Sequence, residues 1–163
     1  MIKIQNEELE KLSKRHYHAI KDYIENHSRY SVSKLNENIK SCFNKNWNLE
    51  KLILAKPKEL EELTLIYKVI DFKFFGTLYD YFNQKDKFKF EEKDYNAYEL
   101  INSLNINICP YCNRNGIHNL KKSRKRTSEL DHFHPQSKYP FLAISFFNLI
   151  PSCKVCNKIK LDK

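Results

Sequence analysis

Apolar residues recur at three- and four-residue intervals through the first hundred positions, a period that predicts helices. Leu9, Leu12, His16, Ile20, Tyr23 and Ile24 line one face of a first helix, which Asn6 can cap and which ends near Asn26. A second helix starts at Ser31 or Ser33 and turns Leu35, Ile39, Cys42 and Phe43 inward. Pro57 suits a first helical position, and after it Leu60, Leu63, Ile66, Tyr67, Ile70 and Phe74 form one stripe. Gly76-Thr77 then breaks and recaps the chain, and Leu78, Tyr79 and Phe82 continue the pattern. A lysine-rich stretch from Gln84 to Lys93 reads as a loop or short extended piece, and Asp94 caps a last helix carrying Ala97, Tyr98, Ile101 and Leu104. Beyond residue 107 the period changes. Asn115-Gly116 signals a turn, a short alternating stretch runs through Ile117 and Leu120, residues 127–130 return as a strand, and an apolar stretch follows from Phe141 to Phe147. The pattern predicts an α+β chain in two parts: a platform of roughly four to six helices over 1–107, then a small strand-containing module over 108–163.

Composition narrows the class. With 163 residues, 41% of them hydrophobic, the chain can bury one moderate core and a small satellite. No secretory signal is visible after Met1, and no apolar run approaches the ~18 residues of a membrane span, so a soluble, cytoplasmic protein is expected. In a reducing compartment, five cysteines favour metal binding over disulfides, with Cys42 filling a helix face. Only two glycines occur, which argues against a glycine-rich phosphate loop, and there is no internal repeat. Charge is placed unevenly. Residues 109–163 hold eleven Lys and Arg against Glu129, Asp131 and Asp162, which is +8 of the chain's +9. Such a local surplus points to a polyanion, and to nucleic acid ahead of an acidic membrane because no amphipathic apolar face accompanies it.

The surplus surrounds two C-x-x-C pairs, Cys109/Cys112 and Cys153/Cys156. Two such knuckles about 40 residues apart supply the four thiolates of a closed tetrahedral zinc site. Between them lies Lys121-Lys122-Ser123-Arg124-Lys125-Arg126, whose five cations would grip phosphates without reading sequence. Asp131-His132 follows at a strand end, where consecutive residues face opposite sides, so that one can face a metal and the other a water. Phosphodiester hydrolysis asks for that pair: a histidine to deprotonate water near neutral pH, and a carboxylate with further N or O ligands to hold a divalent cation at the scissile phosphate. Asn148 and Asn157 add neutral amides, one able to orient the base region and the other to ligate metal. His16 and His18, two apart, cannot share a helix face, and the apolar neighbours of His16 indicate packing. The aromatics of residues 67–98 read as core rather than as a base-stacking surface.

The order C-x-x-C, Asp-His-x-x-Pro, Asn-Leu, C-x-x-C-Asn-x-x-Lys resembles the zinc-bearing branch of the HNH endonuclease family, with its ββα-metal fold, over roughly residues 108–163. The resemblance implies a metal-dependent nuclease acting on DNA, most readily double-stranded. It makes Asp131 a ligand of the catalytic cation, His132 the general base, Asn148 the residue that orients it, Asn157 the last metal ligand, and Lys160 a neighbour of the phosphate. Asn157 stands where the family commonly has His; an amide oxygen favours hard cations such as Mg²⁺. His134 lies beyond the pattern, as an auxiliary ligand or acid/base group or as a bystander. The wording around the motif further resembles bacterial HNH proteins of Septu and retron-associated anti-phage systems. That likeness implies a defence or restriction role and, if Septu-like, an ATPase subunit as partner; the helical region could otherwise form a homo-oligomer. Two other readings compete. A non-catalytic zinc-knuckle nucleic-acid-binding module would use the cysteines and the basic loop but not Asp131-His132 or Asn148, and a redox role lacks the βαβ pattern around either C-x-x-C.

Overall fold

A computed structural model describes residues 8–66, 72–84, 88–120, 122–123 and 125–160. Among the described residues, six helices form the first part: α1 Leu9–His27, α2 Val32–Cys42, α3 Leu49–Leu54, α4 Pro57–Ile66, α5 Lys73–Asn83 and α6 Ala97–Leu104. α1 buries Leu12, His16, Ala19, Ile20 and Ile24 on the face its period predicted; the expected cap, Asn6, lies outside the described residues. Ser31 caps α2, accepting from the Lys34 N–H, and Asn48 caps α3 in the same way from Lys51. The pattern does not predict the short α3, because a helix of six residues offers too little periodicity to recognise.

Four expectations are corrected. Cys42 is exposed at the end of α2 rather than packed, while Leu35, Ile39 and Phe43 carry the burial. Phe74 belongs to α5, not to the stripe of Leu60 and Leu63 on α4; Tyr67 and Ile70 lie outside the described residues. Gly76-Thr77 sits inside α5 and breaks nothing. A Cβ at Gly76 would come within 2.6 Å of the Gln136 amide, so the glycine lets a C-terminal loop approach the helix. Asn96, not Asp94, caps α6: its Oδ1 accepts from the N–H groups of Tyr98 and Glu99, while Asp94 pairs with Lys89 in a hairpin of β1 Lys89–Phe90 and β2 Lys93–Asp94.

The second part adds β3 Asn119–Leu120, β4 Lys125–Arg126, β5 Ser128–His132, β6 Leu149–Cys153 and α7 Lys154–Lys160. β3 and β4 form one antiparallel pair and β5 and β6 another, with Asp131 opposite Ile150 and His132 opposite Leu149. α7 packs across both β5 and β6. The 16 residues between these strands, 133–148, do not loop into solvent. Phe141, Leu142, Ala143, Ile144 and Phe146 are buried in the same hydrophobic cluster as the faces of α1 to α6. Each large side chain buried there contributes roughly 1.5–3 kcal/mol, and polar bonds fix the register. Ser145 Oγ donates to the Leu52 carbonyl at 2.9 Å, and Tyr79 Oη on α5 donates to the Leu130 carbonyl at 2.6 Å. A separate small cluster gathers Cys109, Ile117 and Cys153. No helix among the described residues is long and apolar enough to cross a membrane.

Candidate active site and metal centre

The two knuckles converge. The four sulfurs of Cys109, Cys112, Cys153 and Cys156 lie within 4.8 Å of one another. In the first knuckle Asn113 takes a left-handed conformation, φ 51°, and its N–H closes on the Cys109 carbonyl at 2.9 Å. In the second, β6 delivers Cys153 and the first turn of α7 delivers Cys156, whose N–H points to Cys153 Sγ at 3.4 Å. Asn115 Nδ2 donates to the same sulfur at 3.2 Å. Burial alone would raise the Cys153 thiol, but these donors outweigh it and hold it at about 6. Burial and the neighbouring thiols push Cys156 up to about 12. Thiolates are the form that ligates metal, so a divalent cation would favour ionisation of the cluster. Four thiolates are a closed zinc set, and tetrahedral Zn–S bonds of ~2.3 Å place sulfurs ~3.8 Å apart, within the span found here.

Asp131 and His132 leave β5 on opposite sides. Asp131 is 8% exposed, and among the described residues its two side-chain contacts fall on Oδ2: Tyr111 Oη donates at 2.6 Å, and Lys160 Nζ lies at 3.3 Å. Burial first, then the Asp131 carboxylate, raises the Tyr111 hydroxyl far above its ordinary range, so it stays protonated and donates. Lys160 also donates to the His132 carbonyl at 2.6 Å and so ties α7 to β5 beneath the pair. On the other side the His132 ring leans on Tyr79, centroids 4.3 Å apart, and Nε2 lies 2.9 Å from the Ala143 carbonyl. A carbonyl only accepts, so Nε2 carries the proton and Nδ1 of the neutral ring keeps its lone pair. Burial lowers the pKa of this imidazole, against the Ala143 bond and the Asp131 charge, and keeps it neutral near pH 7.

Asn148 is fully buried, and its amide is spent on backbone: Nδ2 donates to the carbonyls of Leu142 and His134, and Oδ1 accepts from the His134 N–H. It therefore closes the loop whose Ala143 carbonyl holds His132, and bears on the imidazole through main chain. Asn157 is half-buried on α7, three residues before Lys160 and so on the same helix face. His134 is half-buried between the rings of Phe133 and Tyr139, and burial pushes its pKa down. Its backbone, rather than its ring, is engaged with the site residues. The basic loop divides. Lys122 is exposed and Lys125 lies in β4, while Lys121 and Arg124 lie outside the described residues. Arg126 turns away from the loop tip, its Nη2 donating to Asn83 Oδ1 at 2.8 Å, and docks the β3–β4 hairpin on α5.

Two residues of the site escaped the sequence reading. Tyr79 looked like helix core, which it also is; Tyr111 sat inside the first knuckle with nothing to link it to a residue 20 positions on. Among the described residues the four cysteines are the one converging group of three or more His, Cys, Asp or Glu. A cation at Asp131 would therefore draw on the Asn157 amide and on ligands from substrate or solvent. Tyr111 and Lys160 both engage Oδ2, so the carboxylate would meet a cation through Oδ1. No curated protein and no solved structure matches the chain. The family model described as HNH endonuclease matches residues 109–163, and the segment carrying the four cysteines, Asp131 and His132 is thus an HNH domain.

Proposed function

We propose that this protein is a metal-dependent endonuclease that hydrolyses phosphodiester bonds of DNA, with His132 as general base. The observation that carries the reading is the Nε2 bond of His132 to the Ala143 carbonyl, which leaves Nδ1 unprotonated next along the strand from a buried carboxylate. Nδ1 accepts the proton of a water as the oxygen attacks phosphorus, and the imidazolium that forms is stabilised by its carbonyl partner and by Asp131. Lys160, clamped between Asp131 and the His132 carbonyl, supplies positive charge for a phosphate oxygen. Asn148 keeps the loop that bears Ala143 closed. A divalent cation held by Asp131 and Asn157 would supply charge neutralisation at the scissile phosphate and the leaving oxygen. Zinc on the four cysteines would hold β6, α7 and the first knuckle together.

Magnesium is the first choice for the catalytic cation because the donors are oxygen atoms. The basic excess of residues 109–163 supports a nucleic-acid substrate. A role in anti-phage defence, with an ATPase partner or a second copy at the helical platform, remains part of the proposal on the strength of sequence resemblance.

The test is a plasmid assay with Mg²⁺, Mn²⁺ or Ni²⁺. Nicking or linearisation that requires the cation and disappears in His132→Ala, with DNA binding retained, is the expected result. Wild-type protein that binds DNA and cleaves under none of these conditions would instead favour the non-catalytic zinc-knuckle binding module.

A further inference from the structure

We propose that Tyr111 is a positioning residue through which the four-cysteine centre sets the orientation of the Asp131 carboxylate. The inference rests on the nuclease reading above. Tyr111 is the residue between Pro110 and Cys112 in the first knuckle, so its backbone is fixed by the turn that presents Cys109 and Cys112 to the sulfur cluster. From there its hydroxyl reaches Asp131 Oδ2 at 2.6 Å, the length of a strong bond to a carboxylate. Lys160 approaches the same oxygen at 3.3 Å from α7, the helix that presents Cys156.

Two of the three elements that carry the sulfur cluster, the first knuckle and α7, thus place a donor on one oxygen of Asp131. With Oδ2 engaged twice, Oδ1 is the atom left for a cation, and the carboxylate binds through one oxygen instead of chelating through two. A carboxylate free to rotate would lose this bias. Tyr111 therefore acts on the cation only through Asp131, in the manner of a partner that orients a ligand, and removal of such partners lowers metal affinity or activity about 10- to 100-fold.

The experiment measures Mn²⁺ binding to zinc-loaded protein without DNA, from the electron paramagnetic resonance signal of free Mn²⁺, beside the Mg²⁺ dependence of plasmid cleavage. Tyr111→Phe keeps the ring and deletes the donor. Zinc content should stay at the wild-type ratio, Mn²⁺ affinity should fall about tenfold or more, and the Mg²⁺ midpoint for cleavage should rise by a similar factor. If the Phe variant loses zinc or melts early, 4-methylphenylalanine at 111 fills the hydroxyl's space without donating and takes its place. Rescue separates positioning from packing: 4-aminophenylalanine restores a donor and should return Mn²⁺ affinity to within about threefold of wild type. Tyr111→Phe with wild-type Mn²⁺ affinity and zinc content overturns the inference while leaving the nuclease reading intact. Wild-type protein that binds no Mn²⁺ overturns the inference at its root. A Tyr111 effect on Mn²⁺ binding in a protein that never cleaves upholds the inference and sinks the nuclease reading alone.

Discussion

His16 on the helical platform and His132 at the end of β5 in the HNH domain each engage a backbone carbonyl through Nε2, and the two carbonyls are neighbours, Ile144 and Ala143. The same rule fixes the same tautomer in both: a carbonyl cannot donate, so Nε2 must. Their other nitrogens differ. Nδ1 of His16 takes the Tyr95 hydroxyl at 3.1 Å, and the ring is sealed among Phe82, Tyr95 and Phe146. Nδ1 of His132 keeps its lone pair, with Tyr79 against the ring and Asp131 next along the strand. One imidazole is used up by structure; the other keeps the acceptor nitrogen that the proposed chemistry requires. The platform is thus a participant in the site's geometry, because the turn that fixes His132 is itself fixed from α1 by His16 and from α3 by Ser145 on Leu52.

The largest effect expected is that of zinc withdrawal, which breaks the comparison from one side. Cys109→Ser should release zinc, abolish cleavage and remove amide-exchange protection from β5, β6 and α7. The free energy at stake in isolated zinc fingers is on the order of 10 kcal/mol. Protection of α1, and of Phe141 to Phe146 within the platform core, should persist, because that burial does not involve the small cysteine cluster. Loss of protection throughout the chain would show that platform and HNH domain fold as one unit.

Next in size is the contrast between the two histidines. His132→Ala should lower the cleavage rate about 10²- to 10⁴-fold, the usual contribution of a general base, with a smaller loss of stability than His16→Ala because the His132 ring is only partly buried. His16→Ala should do the reverse: it opens a cavity and strands the Tyr95 hydroxyl and the Ile144 carbonyl, a loss of about 2–4 kcal/mol in stability. Its cleavage rate well below the melting temperature should fall far less than that of His132→Ala. Equal rate losses in the two variants would erase the distinction between packing and chemistry.

What was legible beforehand follows the range of the interactions. The knuckles, the Asp131-His132 strand end, the Ser31 cap and the inward face of α1 are written within a few residues of one another, where spacing has direct geometric meaning. The packing of the Phe141 to Phe146 turn against the platform, the bond from His132 to Ala143 and the reach of Tyr111 to Asp131 join segments whose approach only the fold decides. Arg126 makes the same point in reverse. Its neighbours in sequence made it a phosphate contact, and its neighbour in space, Asn83, makes it a docking residue. Asn148 was read as an orienting amide, and its bonds run to the carbonyls of His134 and Leu142, one step removed from the imidazole.

A pH series sharpens the contrast at about 3 kcal/mol. Burial, opposed by the Ile144 bond, lowers the pKa of His16 to about 4, whereas in the unfolded chain it lies near the ordinary ~6.5. Between those values the unfolded state binds the extra proton, so stability rises with pH there. The contribution is fully present above about pH 6.5, is lost progressively as pH falls through about 4, and totals roughly 3 kcal/mol. Denaturant melts between pH 4 and 7 should follow that slope, and His16→Phe should flatten it. An unchanged slope in that variant would assign the acid sensitivity to other groups.

The smallest effect isolates the platform from the chemistry altogether. Asn96 caps α6 with a side chain that is 1% exposed, accepting at 3.0 Å from Tyr98 and 3.2 Å from Glu99. Asn96→Ala should cost about 1–2 kcal/mol, toward the upper end of the usual range for a cap because the freed N–H groups are poorly reached by water. α6 touches the HNH segment through Asn119, whose amide donates to the Tyr98 carbonyl and to Asn102, so a frayed first turn would loosen β3 before it reached β5. Cleavage well below the melting temperature should therefore stay at the wild-type rate while the melting temperature drops. A fall in rate without a matching loss of stability would mean that α6 acts on the site by a route other than the His16 and Ser145 contacts, and those contacts would no longer account for how the platform holds His132.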